Sequence, residues 1–327
     1  MGHGKLPPMS MTIKIIETAR GPVETAIVGE GPAVLVIHGC PGGYDQGLIA
    51  ARLANGHRFK FISLSRPGYL RTPLRVGITP ESQADAYAAL LDALEIPNAG
   101  IIGISGGAPS ALQFALRHPE RCRALVTVSA ISQRLSQAEL RKCKSVSRRI
   151  LFVVELVSEL VKNLIPVVAQ KWRKIVPFVI PNNPDLEAQA LTRQENLALI
   201  LGLLRSFGNI SSRRAGLEND RFQLSTMPIY PLENIKTPTL VLHGSEDRLV
   251  SLTHANFIAE TVPNATLKLV EGGGHLFFAT HRGQVFPAVV EFLKLSAHKA
   301  TSDYHRSLTF ETDSRSPRII SDSASPA

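Results

Sequence analysis

Three polar side chains far apart in the chain have the types and local settings for acyl-transfer chemistry: Ser105, Asp247 and His275. Ser105 lies in Gly103-Ile104-Ser105-Gly106-Gly107, a G-x-S-x-G that ends the apolar run AGIIGIS (99–105) and opens a helical pattern. A serine hydroxyl attacks a carbonyl carbon only when a base takes its proton and when the hydroxyl stands clear of its neighbours. A sharp strand-to-helix turn meets the second need. Gly103 and Gly107 flank it because side chains there would strike the adjoining strand and helix. The helix N-terminus behind Ser105 favours negative charge forming beside it. A bare G-x-S-x-G arises by chance roughly 0.1 times in a chain of this length, so the strand and helix around it carry as much weight as the motif.

Three further segments complete the set. His38-Gly39-Cys40-Pro41-Gly42-Gly43 follows the run AVLVI, and a loop this rich in Gly and Pro can turn a main-chain N–H over Ser105. Cys40 would supply one oxyanion donor through its N–H, and Gly106, the residue after the nucleophile, the other. A nucleophilic Cys40 thiol is the rival reading, but nothing near it in sequence would lower its pKa. Leu242-His243-Gly244-Ser245-Glu246-Asp247 follows the run TLVLH, and a carboxylate there can orient a histidine. Asp247 is the expected partner, with Glu246 its adjacent rival. Gly272-Gly273-Gly274-His275 follows TLKLV and puts a base on a glycine-rich loop. His38 and His243 precede glycines at strand ends and read as loop-shaping residues; with Gly39, Gly103 and Gly107 they support the motifs.

The elements that must position these groups are legible from periodicity. TIKIIETA (12–19) and VETAIVG (23–29), split by Gly21-Pro22, read as an antiparallel hairpin. AVLVIHG (33–39), FKFISLS (59–65), AGIIGIS (99–105), ALVTVSA (124–130), TLVLHGS (239–245) and TLKLV (266–270) are continuously apolar, as strands buried on both faces of a helix-covered parallel sheet must be. Helices are expected after Thr79-Pro80-Glu81, over 106–118 ahead of Pro119, and over 281–297. Strands alternating with helices imply βαβ units and a mostly parallel sheet. Residues 131–231 break the rhythm: they are helical and basic, punctuated by Pro166, Pro177, Pro181 and Pro184, with helix-like stretches over 139–164 and 185–207. They read as a helical cap inserted into a core formed by 1–130 and 232–297. The remainder, 298–327, is rich in Ser, Thr and charge and is expected to be disordered.

Composition bounds the alternatives. The 327 residues are 44% hydrophobic and 19% charged, which excludes a mostly disordered or collagen-like chain. Three scattered cysteines, Cys40, Cys122 and Cys143, make no disulfide framework, and the absence of a CxxC or Cys/His cluster argues against zinc. The net charge is +9, and 131–231 holds 15 Lys/Arg against 8 Asp/Glu. No nucleic-acid motif accompanies it, so no nucleic-acid partner is expected. The basic cap reads as a solvated helical face, or as a patch that draws anionic substrate or an anionic membrane surface. The apolar stretch 150–168 is interrupted by Glu155, Glu159 and Lys162, so no membrane span is expected. MGHGKLPPMS lacks the apolar core and cleavage site of a signal peptide, and Leu6 breaks a myristoylation motif; a cytoplasmic location is the expectation.

HGCPGG, GISGGAPSAL, HGSEDRLV and GGGH, in this order, resemble the oxyanion loop, nucleophile elbow, acid loop and histidine loop of the α/β-hydrolase superfamily over roughly 12–297. SRPGYLRTP (65–73) resembles the loop after the next core strand of many members. The resemblance implies an α/β-hydrolase fold: a mostly parallel eight-stranded sheet, helices on both faces, an inserted helical cap, and hydrolysis without cofactor or metal. The chain order Ser105, Asp247, His275 is the one that fold expects. Ser105 separates the chain from dehalogenases and epoxide hydrolases, which use Asp at the elbow. Gly106 separates it from the usual G-x-S-W-G of proline iminopeptidases, and Ser-Gly-Gly departs from the Ser-Met-Gly common in C–C-bond hydrolases. The expected activity is hydrolysis of a small-molecule ester through a Ser-His-Asp triad and an acyl-enzyme. C–C-bond or amide hydrolysis, or a ligand-binding receptor that kept the triad, are the alternatives.

Overall fold

The computed structural model describes residues 11–53, 59–145, 203, 206 and 210–313. Eight strands build one sheet: β1 (Met11–Ile16), β2 (Val23–Val28), β3 (Ala33–Ile37), β4 (Lys60–Leu64), β5 (Ala99–Ile104), β6 (Cys122–Val128), β7 (Thr239–Gly244) and β8 (Ala265–Val270). Their spatial order is β1-β2-β4-β3-β5-β6-β7-β8. The β1–β2 and β2–β4 pairs are antiparallel, and the rest are parallel.

The apolar runs follow from burial on two sides. In β3 all five residues are buried. Val34 and Val36 face one layer, where Val285, Val289 and Leu293 of the last helix pack. Leu35 and Ile37, pointing the other way as strand geometry requires, join Leu90, Leu91 and Phe114. Each strand end on the C-terminal side then feeds a loop, and all the parallel strands deliver their loops to one rim. TLKLV departs from the expectation of a doubly buried strand. It forms β8, an edge strand paired only with β7, and Thr266, Lys268 and Leu269 are exposed. Its apolar content serves one face only.

Among the described residues, the helices of ten residues or more are α1 (Tyr44–Leu53), α2 (Pro80–Ala93), α3 (Ala108–Arg117), α4 (Arg214–Thr226), α5 (Leu252–Thr261) and α6 (Arg282–Asp313). The expected start of α2 has its cap in place. Ser82 N–H donates to Thr79 Oγ1 at 3.2 Å and Thr79 N–H donates to Ser82 Oγ at 2.9 Å, while Pro80 opens the first turn. The last helix runs past its expected end near 297 to Asp313. Val285, Val289 and Leu293 pack its first half on the sheet, and extending an existing helix needs no new nucleus, so a polar continuation can stay helical. Residues 314–327 lie outside the described residues.

Within the expected cap, the described residues include helical backbone over 137–145 and α4. Most of the helix-like stretches over 139–164 and 185–207 lie outside the described residues. Where this region is described, Leu135 N–H donates to Leu224 O at 3.0 Å within it, and Gly216 N–H donates to Gly68 O at 2.8 Å across to the core. His254 of α5 accepts the Ser132 N–H on Nδ1 at 3.2 Å, which leaves Nε2–H to donate to Glu139 at 3.3 Å. No described helix is long and apolar enough to cross a membrane.

Replacing Thr79 by Ala removes the cap of α2 and is expected to cost about 1 kcal/mol in denaturant unfolding, with Thr79→Ser restoring most of it.

Candidate active site

Ser105 ends β5 and opens a single 3₁₀ turn, Ser105–Gly107, that leads into α3. Its φ is +48°, the left-handed region that a residue with a side chain occupies only when its surroundings hold it there. The flanking glycines explain how the turn closes. A Cβ on Gly103 would lie 2.5 Å from that of Ala111, and one on Gly107 would run into the His38 carbonyl oxygen. The elbow is therefore pinned between α3 and the loop after β3.

Asp247 and His275 come from the loops after β7 and β8. His275 Nδ1 lies 2.8 Å from Asp247 Oδ2, and among the described residues no hydrogen bond or ion pair joins Glu246 to the ring. Asp247 Oδ1 accepts the N–H groups of Leu249 at 2.9 Å and Val250 at 3.0 Å, so both carboxylate oxygens are engaged. Burial alone would raise the Asp247 pKa. His275, His243 and the Val250 N–H outweigh it and hold the carboxyl below its ordinary value. An ionised Asp247 accepts, so His275 carries its proton on Nδ1 and turns the Nε2 lone pair outward, the form a general base needs. His243 is 3.7 Å from the same carboxylate, yet burial pushes its pKa down, so it is neutral and donates from Nε2 to Val250 O at 3.2 Å.

The loop after β6 joins this pair to the elbow. Ser129, itself at φ +46°, donates its hydroxyl to the His275 carbonyl at 3.1 Å, and Ile131 N–H donates to the Ser105 carbonyl at 3.3 Å. His275 is thereby tied to the end of β6, the strand next to β5, and strands in a sheet are ~4.8 Å apart. No hydrogen bond joins Ser105 Oγ to the His275 ring among those of the described residues. Ser105 and Gly106 line a cavity of about 60 Å³, and Leu249 and Val250, whose N–H groups bind Asp247, line it too.

Cys40 borders the same cavity. A Cβ on Gly106 would lie 3.7 Å from Cys40 N, so the two main-chain segments face each other, and the Cys40 N–H has no acceptor among the described residues. Burial, with Asp220 nearby, raises the Cys40 thiol well above its ordinary pKa, so it stays protonated and poorly nucleophilic. His38 is neutral: burial and Arg66 lower its pKa well below the usual value. Its Nε2 accepts the Arg66 N–H at 2.9 Å, which leaves Nδ1–H to donate to Gly39 O at 2.7 Å and shape the loop.

Behind that loop lies a network that the sequence did not announce. Arg66 is 1% exposed and meets Asp220 of α4 with two bonds, 2.9 and 2.5 Å, while its Nε donates to the His38 carbonyl at 3.0 Å. Tyr69 O–H donates to Asp220 at 2.5 Å; burial and the Asp220 charge raise its pKa far above the ordinary phenol value, so it keeps that proton. Burial opposes the Arg66 charge, but Asp220 outweighs it and keeps the guanidinium charged. Arg213 repeats the pattern, pairing with Asp45 at 2.6 Å and donating to the Gly42 carbonyl. Arg66, two residues past the end of β4, was a visible signal, a cation just beyond a buried strand. Asp220 had none, because its partner lies 154 residues away.

With this geometry in hand, the likeness to known proteins is specific. Residues 32–152 and 179–282 match the family described as alpha/beta hydrolase fold. The chain belongs to that family. The alpha/beta hydrolase fold protein of Nakamurella multipartita superposes with a TM-score of 0.72 at 33% identity, over 86% of this chain and 99% of that one. An uncharacterized hydrolase, YcgS, of Bacillus subtilis is 27% identical over 83% of this chain and 94% of its own length. A poly(3-hydroxyalkanoate) depolymerase of Ectopseudomonas oleovorans is 28% identical over 66% of this chain and 68% of its own. The protein is an alpha/beta hydrolase. Among the described residues, no group of His, Cys, Asp and Glu could hold a metal ion.

Two outcomes are expected. Asp220→Asn leaves Arg66 charged and buried without its counter-charge, and should cost about 3–5 kcal/mol in denaturant unfolding. For Asp247, the folded pKa lies below the ~3.9 of an unfolded Asp, so its ionisation contributes stability that is full above that value and is lost as pH falls through the folded pKa. The stability gap between wild type and Asp247→Asn should be widest near neutral pH and narrow as pH falls below about 5 and through the folded pKa, as followed by denaturant titration at each pH.

Proposed function

We propose that this alpha/beta hydrolase cleaves a small-molecule carboxylic ester through Ser105, His275 and Asp247. Ser105 Oγ attacks the ester carbonyl carbon and gives its proton to His275 Nε2. Asp247 stabilises the imidazolium that forms, and the N–H groups of Cys40 and Gly106 take the negative charge on the carbonyl oxygen. Collapse of the tetrahedral species expels the alcohol, which takes the proton back from His275. Water then gives a proton to His275 Nε2 and attacks the acyl-serine, releasing the acid and restoring the hydroxyl.

The observation that carries this reading is the 2.8 Å bond between His275 Nδ1 and a doubly anchored Asp247, in a chain whose Ser105 is held at φ +48° on the elbow after β5. The cavity favours an ester over the substrate of an aminopeptidase. Its described walls hold Ile131, Leu135 and Leu224 but no Asp or Glu to bind an amine.

Ser105→Ala should lower p-nitrophenyl ester hydrolysis by about 10⁴-fold or more, and Asp247→Asn by roughly 10³–10⁴-fold, with unchanged circular dichroism. A fluorophosphonate should label wild type and not Ser105→Ala. Undiminished turnover in the alanine variant would remove the nucleophile from the mechanism. Labelling without turnover on any ester would instead favour a receptor.

A further inference from the structure

The segment that leaves β6 and forms one wall of the Ser105 cavity is pegged at successive points. Ile131 N–H donates to the Ser105 carbonyl at 3.3 Å, and Leu135 N–H to the Leu224 carbonyl at 3.0 Å. Between them the chain meets His254 of α5. Ser132 donates its hydroxyl to the His254 carbonyl at 2.8 Å, and the N–H groups of Ser132 and Gln133 donate to His254 Nδ1 at 3.2 and 3.3 Å. Nδ1 is therefore the acceptor, and Nε2 carries the proton that goes to Glu139 Oε1 at 3.3 Å. His254 is 2% exposed, and burial lowers its pKa below the ordinary value, so the ring is neutral.

Glu139 uses its other oxygen locally. Oε2 accepts the Ser136 N–H at 2.9 Å and the Ser136 hydroxyl at 2.7 Å, and Glu139 N–H donates to Ser136 Oγ at 3.3 Å. This is a capping box, and it opens the helical backbone over 137–145. Leu140, Cys143 and Lys144, spaced as neighbours on one helix face, all line the cavity. One carboxylate thus caps the helix that carries this wall and fastens it to α5. The start of α5 follows the loop over 247–250, whose Leu249 and Val250 bind Asp247 and line the same cavity. Neither Glu139 nor His254 is among the described lining residues, so both act through others. We infer that Glu139 and His254 are positioning residues: their contact holds the wall of Leu140, Cys143 and Lys144 in place and limits the length of acyl chain that the site accepts. The substrate class narrows to esters of short acyl chains. This inference rests on the esterase reading above, and its test separates the two.

The test has a kinetic arm and a binding arm. His254→Asn keeps an oxygen near the place of Nδ1 for the Ser132 and Gln133 N–H groups and removes the Nε2–H that reaches Glu139. Glu139→Gln keeps both the capping box and an acceptor for that N–H. Wild type should favour p-nitrophenyl butanoate over the octanoate. His254→Asn and Glu139→Ala should each raise the octanoate-to-butanoate ratio of kcat/KM by about tenfold, mainly through a lower KM for the octanoate, as about two more methylenes become buried. Glu139→Gln should keep the wild-type ratio, and His254→Asn/Glu139→Ala should move it no further than either single change, the mark of one shared contact. A purely structural role would lower kcat/KM for both esters alike. An unmoved ratio, a shift in Glu139→Ala that His254→Asn does not reproduce, or a wild type that prefers the octanoate overturns the inference. In the second arm, calorimetry on Ser105→Ala compares butanamide with octanamide, which reads the wall without turnover. Octanamide affinity that rises about tenfold relative to butanamide when His254→Asn is added supports the positioning role even if no ester is cleaved, and the esterase reading would then fall alone. Relative affinities that His254→Asn leaves unmoved overturn the positioning role and leave the esterase reading to its own kinetics.

Discussion

A guanidinium at 1% exposure has no water to solvate it, so whatever surrounds Arg66 must supply both charge and acceptors. Asp220 supplies the charge, the His38 carbonyl takes the remaining Nε–H, and the Arg66 main-chain N–H fixes the His38 ring. One residue thereby sets the shape of the loop that carries Cys40 and clamps α4 of the cap against it. The ion pair is not a large net source of stability, because desolvating both groups offsets most of their attraction. Its effect is geometric: neither the loop nor α4 can shift without exposing an unmatched charge to an apolar interior. The loop that carries Cys40 and the α4 residues that line the Ser105 cavity are thus made to depend on a single contact.

Much of this was legible in the sequence because its physical causes are local. A strand covered on both faces must be continuously apolar, and AVLVI is buried throughout. A serine in a strained elbow needs glycines where the backbone is crowded, and Gly103 and Gly107 are packed against Ala111 and the His38 carbonyl. The pairing of His275 with Asp247 could be anticipated because each follows a strand whose end faces the same rim.

What was not legible depends on partners distant in the chain or on position within the sheet. TLKLV has the composition of a buried strand and lies at the edge, a property of topology that no window of sequence contains. Asp220 sits in a polar helix where an acid is unremarkable until Arg66 is set beside it. Ser129, whose hydroxyl holds the His275 loop, carries no motif at all. The helical continuation to Asp313 went unread because its polar composition was weighed alone, without the packed half of α6 that precedes it.

The two halves of the site ride on parts of the sheet with unequal support. Ser105 is carried by β5, flanked on both sides by buried strands, whereas His275 follows β8, which has a neighbour on one side only and exposes Leu269 at 37%. Local opening begins where fewest contacts must break, and a sheet margin frays before its centre. Warming the protein would therefore loosen the loop that carries His275 first, while Ser105 still stood in an intact core; under the proposed mechanism, turnover fades before the fold does.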